Sequence, residues 1–317
     1  MPNFNGVWSL TTQLQYRSDW PIFVQNRGLF FGGNDASSTH TNTIDYIDIS
    51  STGNASDFGN LAQTRRDNMA VSSATRAVAA GGVASQGLDS MEYVTIASTG
   101  NASDFGDTTV DNYNGSGTGS STRGLLSLGQ TGNGGTYGGI IEYITIANTG
   151  NSTDFGDLTV GRAFGSDSAF SSPTRGVFYG GYYQSAKDII DYVTIASTGN
   201  ATDFGDTTVA RYGMGGASSS TRGLGAGGNT SADTIDYITI ASTGNASDFG
   251  NLTINVRYLG GTSNSIRGVF GGGFISSTPQ NTIAYVTIAS TGNAADFGDL
   301  TVARGRFAAT SGSHGGI

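Results

Sequence analysis

The sequence predicts an all-β fold, namely a six-bladed β-propeller with four antiparallel strands in each blade. The first observation behind this prediction is a ten-residue segment, first seen as Ser51–Asn60, that occurs six times at spacings of 45 to 50 residues. A unit of about 48 residues suits a propeller blade. The second observation is composition: the chain has one Lys and two Glu, which are residues that surface helices usually require. Val, Ile, Thr, Tyr and Phe are plentiful instead, and they favour strands.

Charge and cysteine content narrow the range of functions. The 317 residues carry a formal net charge of −9, which argues against the basic footprint of a nucleic-acid-binding protein. The absence of Cys removes disulfides and thiol catalysis. The N-terminus lacks the pattern of a signal peptide, and no apolar run approaches the roughly 18 residues of a membrane span. We therefore expect a soluble protein without a secretory signal, a nucleic-acid partner or membrane insertion.

Each unit is predicted to contain four short strands separated by turn residues, as the fifth unit illustrates. The first strand is the Gly/Ala/Ser-rich segment Tyr212–Ser220, and the second is Arg222–Gly228. The third is Ile235–Ala241, and the fourth is Leu252–Val256, which follows an Asp-Phe-Gly turn. Six such units placed in a ring leave few long sheet edges exposed.

The order of these segments resembles the kelch repeat. An Arg precedes an apolar strand that ends in Gly-Gly, a Tyr-containing strand follows, and an aromatic residue follows that. The third unit departs from the pattern with Gly129 alone, and Phe stands near the place where kelch repeats usually carry Trp. The resemblance covers residues 26–317 and implies that the small-residue strand lies innermost, at the axis. It is specific for a fold rather than for a function. The double glycines are Gly32-Gly33, Gly81-Gly82, Gly180-Gly181, Gly227-Gly228 and Gly272-Gly273.

The two chain ends are predicted to share one blade. Phe307–Ser313 has the composition of an inner strand, yet the chain ends before the next Arg-Gly. Arg27–Gly33 is a second strand without an inner strand before it. Residues 1–25 do not fit the repeat and contain both tryptophans, so we interpret them as a terminal arm outside the propeller of residues 26–317. This arm is either a docking segment or, at Leu10–Leu14, a degenerate outer strand.

The periodic arginines and aspartates each allow two interpretations. The arginines could form an anion-binding ring, or they could bond carbonyls and carboxylates of neighbouring blades, as their five fixed donors permit. The acidic chain favours the second. The Asp of each Asp-Phe-Gly could bind calcium, but the spacing of an EF-hand loop is missing, so we predict Asx-type turns and no metal site. The arginines involved are Arg27, Arg76, Arg123, Arg175, Arg222 and Arg267 before the second strand, and Arg65, Arg162, Arg211, Arg257 and Arg304 after the fourth.

Catalysis has little support in the sequence. His40 and His314 are the only histidines, and no nucleophile elbow, phosphate loop or zinc motif is present. A copper-radical centre on this fold would need a Cys. A carboxylate pair for glycoside hydrolysis could still meet across blades, although two glutamates disfavour it. We predict no catalytic residue and no cofactor.

The units differ most in the loop between their second and third strands, whereas the Ser-Thr-Gly-Asn segment barely changes. Loops on one rim of a rigid scaffold are where recognition usually occurs. Aromatic residues among Ser, Gly and Asn suit sugar faces and protein epitopes alike. The candidate ligand-binding residues in these loops are His40, Tyr137, Tyr182, Tyr183, Lys187 and Phe274.

A narrower resemblance concerns Ile190–Asp206, which is similar to repeats in virion structural proteins of marine tailed phages, notably cyanophages. It implies a non-enzymatic tail or fibre component, made in the host cytoplasm and located in the virion. Its partners would be other virion proteins in a homo- or hetero-oligomeric assembly, and a host-surface glycan or receptor. A cellular kelch-type adaptor and a carbohydrate-active enzyme are the alternatives.

Overall fold

The computed structural model describes residues 26–132, 135–230 and 232–317. These residues form six antiparallel blades of four strands each, arranged as a β-propeller, with no helix in the described ranges. A short hairpin extends the sheet of the second blade to six strands. Within the same ranges, no helix is long and apolar enough to cross a membrane. The terminal arm and the strand predicted at residues 10–14 lie outside the described residues.

The strands of each blade follow one another outward from the axis, so the predicted all-β fold with four strands per blade is confirmed. The inner strands are β4 (Met69–Ser72), β8 (Ser116–Gly119), β14 (Ala169–Ser171), β18 (Gly215–Ser218), β22 (Gly260–Ser263) and β28 (Ala308–Ser311). The second strands are β1 (Arg27–Phe31), β5 (Arg76–Ala80), β9 (Arg123–Ser127), β15 (Arg175–Tyr183), β19 (Arg222–Ala226) and β23 (Arg267–Gly271). The third strands are β2 (Thr43–Asp48), β6 (Leu88–Thr95), β12 (Ile140–Thr145), β16 (Ser185–Thr194), β20 (Thr234–Thr239) and β26 (Thr282–Thr287). The outer strands are β3 (Ser56–Asn60), β7 (Ser103–Tyr113), β13 (Thr153–Asp157), β17 (Thr202–Asp206), β21 (Ser247–Asn251) and β27 (Ala295–Asp299).

Ring closure joins the two ends of the described chain in the first blade. Its sheet has the order β28-β1-β2-β3, so the last strand of the chain is the inner strand of the first blade. Gly28 pairs with Ser311 and Phe31 pairs with Ala308 in this antiparallel contact. The predicted closure is therefore confirmed.

The axis is filled rather than open, because the inner strands consist mainly of Gly, Ala, Ser and Thr and contact one another. A Cβ on Gly216 or Gly261 would clash with backbone of the neighbouring inner strand, so larger residues cannot stand there. The remaining cavity on the axis is about 30 Å³, which is room for about one water. The buried Asp167 carboxylate lies at one end of the axis, where it accepts hydrogen bonds from Gly117 N at 2.6 Å and Ser116 Oγ at 3.1 Å.

The hydrophobic core is divided into six clusters, one between each pair of neighbouring blades. Each blade is therefore covered on both faces, which explains why the second strands are buried over almost their whole length. The Phe of Asp-Phe-Gly belongs to these clusters. Phe58, for example, packs edge-to-face on Tyr46 with ring centroids 5.8 Å apart.

The Asp-Phe-Gly segments do not form turns, so the prediction of Asx-type turns at these aspartates is wrong. They lie within the outer strands, and the predicted fourth strand Leu252–Val256 is a link between blades. The aspartates are exposed, Asp57 among them. The structural polar residue is the Asn three positions earlier: Asn54 Oδ1 accepts a hydrogen bond from Asp299 N of the preceding blade at 3.1 Å. The other five units repeat this contact at 3.0 to 3.1 Å.

The arginines that begin the second strands connect neighbouring blades, as predicted. Arg27 Nη1 donates to Ile96 O of the next blade at 2.8 Å, and its guanidinium lies 4.8 Å from the centre of the Tyr46 ring. The same pair of contacts recurs around the ring, ending with Arg267 on Ile49 O and Tyr285. These six arginines are scaffold residues, because each one satisfies a carbonyl across a blade interface.

A second set of arginines is fully buried and paired with carboxylates on third strands, also as predicted. The predicted set and the observed set differ by one residue, however. In the fifth unit Val256 occupies the repeated arginine position, and Arg257 follows it by one residue. Ala284 occupies the corresponding carboxylate position on the third strand of the sixth blade, and Val256 and Ala284 belong to one apolar cluster. Equivalent sites of the fold thus hold a charged pair in four places and an apolar pair in one. The four ion pairs are Arg65–Glu92, Arg162–Asp191, Arg211–Asp236 and Arg304–Asp45.

The ends of the inner strands are connected by hydroxyl groups that donate to the carbonyl of the preceding blade. Gly119 interrupts this ring because it has no hydroxyl. His314, in the segment after β28, replaces the missing donor: its Nε2 lies 3.1 Å from Ser72 O, and its Nδ1 accepts from Gly316 N. The five hydroxyl contacts are Ser72 to Ser311, Ser311 to Ser263, Ser263 to Ser218, Ser218 to Ser171, and Ser171 to Gly119.

His314 should make stability depend on pH. Burial lowers the pKa of His314 from 6.5 to about 4, so the unfolded chain binds a proton that the folded chain does not. Stability should therefore fall as the pH decreases from about 6.5 to about 4. Melting temperatures of the wild type and His314→Gln across this range test the assignment. The difference in melting temperature between the wild type and the variant should shrink as the pH decreases through this range. A constant difference would contradict a neutral, buried imidazole.

Candidate functional site

The propeller has two unlike ends. Because successive strands are antiparallel, the loops between second and third strands share one end with the links between blades. We call this end the variable rim; its links are residues 61–68, 114–115, 158–168, 207–214, 252–259 and 300–307. The opposite end, which we call the constant rim, carries the Ser-Thr-Gly-Asn segments and the ring of serine hydroxyl contacts at the ends of the inner strands. Three variable loops form hairpins: β10–β11 (Gln130–Thr131 and Thr136–Tyr137), the extended β15–β16 pair, and β24–β25 (Phe274–Ile275 and Thr278–Pro279).

The links are fixed to one another by a closed ring of six backbone hydrogen bonds. Each linking N–H donates to the carbonyl of another link, for example Arg306 N to Tyr258 O at 2.9 Å and Tyr258 N to Gly213 O at 2.6 Å. Asp67, Tyr258 and Arg306 adopt left-handed φ angles of 55° to 60° in this ring. Gly213 occupies the same place with φ 72° at no steric cost. The ring thus holds large side chains in a strained backbone at the centre of the variable rim.

The predicted residues Tyr137, Tyr182 and Tyr183 come together on the variable rim. The Tyr137 ring lies 6.0 Å from Tyr182 and 5.5 Å from Tyr183, centroid to centroid. Lys187 Nζ lies 5.9 Å from the centre of the Tyr183 ring. Tyr183 is 37% exposed. Burial raises the pKa of Tyr137, so its hydroxyl is protonated at neutral pH and can donate a hydrogen bond.

The tyrosine run continues inward through two residues that the sequence analysis did not select. Tyr212 lies 5.1 Å from Tyr182, and Tyr258 lies 6.0 Å from Tyr212. A cavity of about 190 Å³ is lined by Tyr137, Tyr182, Tyr212 and Tyr258, together with Arg306. Five tyrosines therefore form a continuous aromatic surface that crosses three blades.

The predicted residues His40 and Phe274 lie in a second and larger cavity of about 410 Å³ on the same rim. Tyr258 and Arg306 line both cavities, so the two cavities adjoin. His40 Nε2 accepts a hydrogen bond from Arg66 Nε at 2.9 Å. Burial, followed by the nearby Arg66, lowers the pKa of His40, so this imidazole is neutral at pH 7. His40 and Phe274 thus line the larger cavity, and Tyr137 and Tyr182 line the smaller one. Tyr183 and Lys187 line neither cavity and lie beside Tyr137 and Tyr183, respectively.

Sequence reasoning missed the link residues of the site, namely Arg66, Tyr212, Arg257, Tyr258 and Arg306. A usable signal existed, because a four-stranded antiparallel blade must place its outgoing link at the same end as its second loop. Arg66, Arg257 and Arg306 are also out of phase with both arginine sets of the repeat. Arginines that lie outside the repeated scaffold positions are candidates for another role.

The chemistry available in the two cavities is aromatic, hydroxylic and cationic. The described residues that line them include no Asp or Glu. Asp67 lies beneath the larger cavity, buried and paired with Arg66 and Arg306. Across the described residues, no three His, Asp or Glu side chains are grouped closely enough to hold a metal ion. The arrangement suits binding of a polar ligand with hydrophobic faces.

Comparison with known proteins adds no functional assignment. No protein-family model matches the chain, and no curated protein matches it significantly. The function is therefore argued from the geometry of the variable rim.

Proposed function

We propose that this protein is a non-enzymatic recognition module of a phage virion, a tail or fibre component that binds a host-surface glycan through its variable rim. The observation that carries the proposal is the run of five tyrosines. Four of them line the smaller cavity, and one of these four, Tyr258, also lines the larger cavity. Aromatic faces pack on the apolar faces of sugar rings, and their hydroxyl groups bond sugar hydroxyls. A rigid scaffold with hairpin loops keeps these side chains ordered before binding, which reduces the entropic cost of association.

The structure of the links supports recognition as the role of this rim. Tyr258 and Arg306 have left-handed backbone conformations. Gly213 occupies the equivalent position in another link, so the backbone of the ring does not require a side chain there. A residue retained against such strain indicates a role beyond the scaffold. The constant rim offers a contrast, because its Asn side chains and arginines are committed to contacts between blades.

Binding without turnover is favoured over a carbohydrate-active enzyme. Glycoside hydrolysis generally needs two carboxyl groups facing one substrate. The described lining of both cavities contains no carboxyl group, and Asp67, which lies beneath the larger cavity, is held in ion pairs with Arg66 and Arg306. Glycan binding without release of reducing sugar is the expected result for a mixture of protein and ligand.

The kelch-type adaptor remains the second candidate, and the phage assignment rests on the resemblance of Ile190–Asp206 to virion repeats. Mass spectrometry of purified phage particles separates the two. Finding this chain in washed particles supports a virion component with virion proteins as partners. Finding it only in the infected or uninfected cell would favour the adaptor.

Removing two tyrosines should weaken glycan attachment. Tyr182→Ala with Tyr183→Ala removes the exposed part of the aromatic run, and we expect attachment to weaken about tenfold or more, at roughly 1–2 kcal/mol per anchor. The melting temperature should change little, because substitutions at exposed loops usually stay within about 0.5 kcal/mol. Binding is measured on a glycan array and then by titration with the sugar that scores highest.

The matched control lies on the constant rim. Thr198→Ala with Ser242→Ala changes two exposed residues of the Ser-Thr-Gly-Asn segments and should leave attachment intact. If this variant loses attachment while the tyrosine variant keeps it, recognition takes place at the opposite end of the propeller.

A further inference from the structure

The arginines of the described residues divide into three groups, and two of these groups occupy repeated positions of the scaffold. Six arginines bond carbonyls across blade interfaces, and four are buried in ion pairs with carboxylates. The remaining three are Arg66, Arg257 and Arg306, and all three line the larger cavity of the variable rim. Their convergence is notable in a chain whose formal net charge is −9.

Shared contacts connect the three guanidinium groups. Arg66 and Arg306 pair with the same carboxylate, that of Asp67. Arg306 and Arg257 both face the Tyr258 ring, at 4.4 Å and 5.4 Å from its centre. Asp67 is buried below the group, and its side chain is 1% exposed, whereas the side chains of Arg66 and Arg306 are 27% and 29% exposed. Asp67 therefore pairs with two of the three guanidinium groups that line the cavity, and the three arginines together carry an excess of positive charge there.

Several donors in the cavity lack an acceptor. Arg257 makes one hydrogen bond, from Nη2 to Ser276 O at 3.0 Å, and its Nη1 has no partner among the described residues. Arg66 is oriented by His40 through Nε and by Asp67 through Nη1, which leaves its other terminal nitrogen for a ligand. A planar guanidinium with free parallel donors is suited to carboxylate or sulfate oxygens, which it binds with two hydrogen bonds.

The geometry points to an acidic oligosaccharide as the ligand of this rim: an anionic group of the glycan, a carboxylate or a sulfate, is bound by Arg66, Arg257 and Arg306. This inference rests on the proposed function and specifies its ligand class. The adjoining tyrosine cavity then receives the neighbouring sugar units, because Tyr258 and Arg306 line both cavities. Nucleic acid is a poorer fit, since a single cationic patch on an acidic protein cannot follow a run of phosphates.

Titration calorimetry of the full chain with three defined probes tests this inference. The probes are tetragalacturonate, its carboxyl-reduced neutral counterpart, and a sulfated tetrasaccharide of the carrageenan type. At least one anionic probe should bind about tenfold or more tightly than the neutral one, and its affinity should fall with added salt. The comparison of galacturonate with the sulfated sugar distinguishes the carboxylate from the sulfate.

Two variants assign the effect to the arginines. Arg257→Gln should weaken binding of the preferred anionic probe about tenfold and leave binding of the neutral probe unchanged. Arg306→Gly should also weaken binding of the preferred anionic probe about tenfold, and glycine suits the left-handed backbone of this position. The matched control is Arg222→Gln, which removes the same charge on the constant rim, where Arg222 bonds Ile288 O.

Three results would overturn the inference: equal affinity for the anionic and neutral probes, variants that match the control, or no binding of any probe. Equal affinity that is lost in Tyr182→Ala with Tyr183→Ala would leave the proposed function standing without the acidic ligand. A tyrosine variant that retains attachment would instead contradict the proposed function itself.

Discussion

Deleting residues 305–317 should destabilise the propeller more than any single substitution. The deletion removes the inner strand of the first blade and with it the fully buried Phe307, whose loss alone is expected to cost about 3–5 kcal/mol. The second strand β1 then loses its partner, and the ring opens at the axis. Since domains have about 5–15 kcal/mol of stability in total, the truncated chain should be largely unfolded or melt far below the full chain.

A shorter deletion provides the control. Removing residues 314–317 eliminates the His314 contact but keeps β28 paired with β1, so the melting temperature should fall by much less. Thermal unfolding followed by circular dichroism measures both. If the longer deletion melts within a degree or two of the full chain, the first blade is not closed by the C-terminal strand.

The second large effect should come from the buried ion pairs. Arg162 and Asp191 are both fully buried, with Nη1 and Oδ2 2.6 Å apart, and removing either partner leaves an uncompensated charge. We expect Arg162→Val and Asp191→Ala each to cost about 3–5 kcal/mol. The double variant should cost less than the sum, because the sixth blade already carries Val256 and Ala284 at these places in a packed cluster.

Chemical denaturation of the four proteins in this double-mutant cycle measures the coupling. A coupling of about 1–3 kcal/mol is expected for residues in direct contact. Strictly additive losses would show that the charged pair and the apolar pair are not interchangeable at this site of the fold.

The repeat made the architecture predictable, because six copies of two markers require six similar units. Small residues at Gly215–Ser218 predicted the crowded inner strand, and the composition of residues 307–313 predicted the closure. The scaffold role of the arginines followed from their periodicity and from the donors of guanidinium. These features depend on residue type and spacing, which the sequence contains directly.

The outer strands were misplaced because their stability depends on contacts made across blades. Leu252–Val256 has the alternation of a strand, and Asp248-Phe249-Gly250 has the residues of a turn, yet the strand is Ser247–Asn251. Its free edge is covered by the next unit, where Asn293 Oδ1 accepts from Asn251 N at 3.1 Å. A partner 42 residues away cannot be inferred from local propensity.

The candidate site was predicted only in part for a related reason. Variation among the loops identified Tyr137, Tyr182 and Phe274, because variable positions are visible when the units are compared. Tyr258 and Arg306 belong to links, and the position of these links on the same rim follows from strand direction. Their left-handed backbone conformation is held by the ring of hydrogen bonds between links. Both properties appear only after the blades are assembled.

Hydrogen–deuterium exchange with and without the tightest-binding acidic tetrasaccharide tests whether the variable rim is the recognition surface. We expect slower exchange confined to the loops and links of this rim, above all around Tyr182, Tyr258 and Arg306. Slower exchange at the Ser-Thr-Gly-Asn segments of the constant rim, or no localised change at saturation, would contradict it.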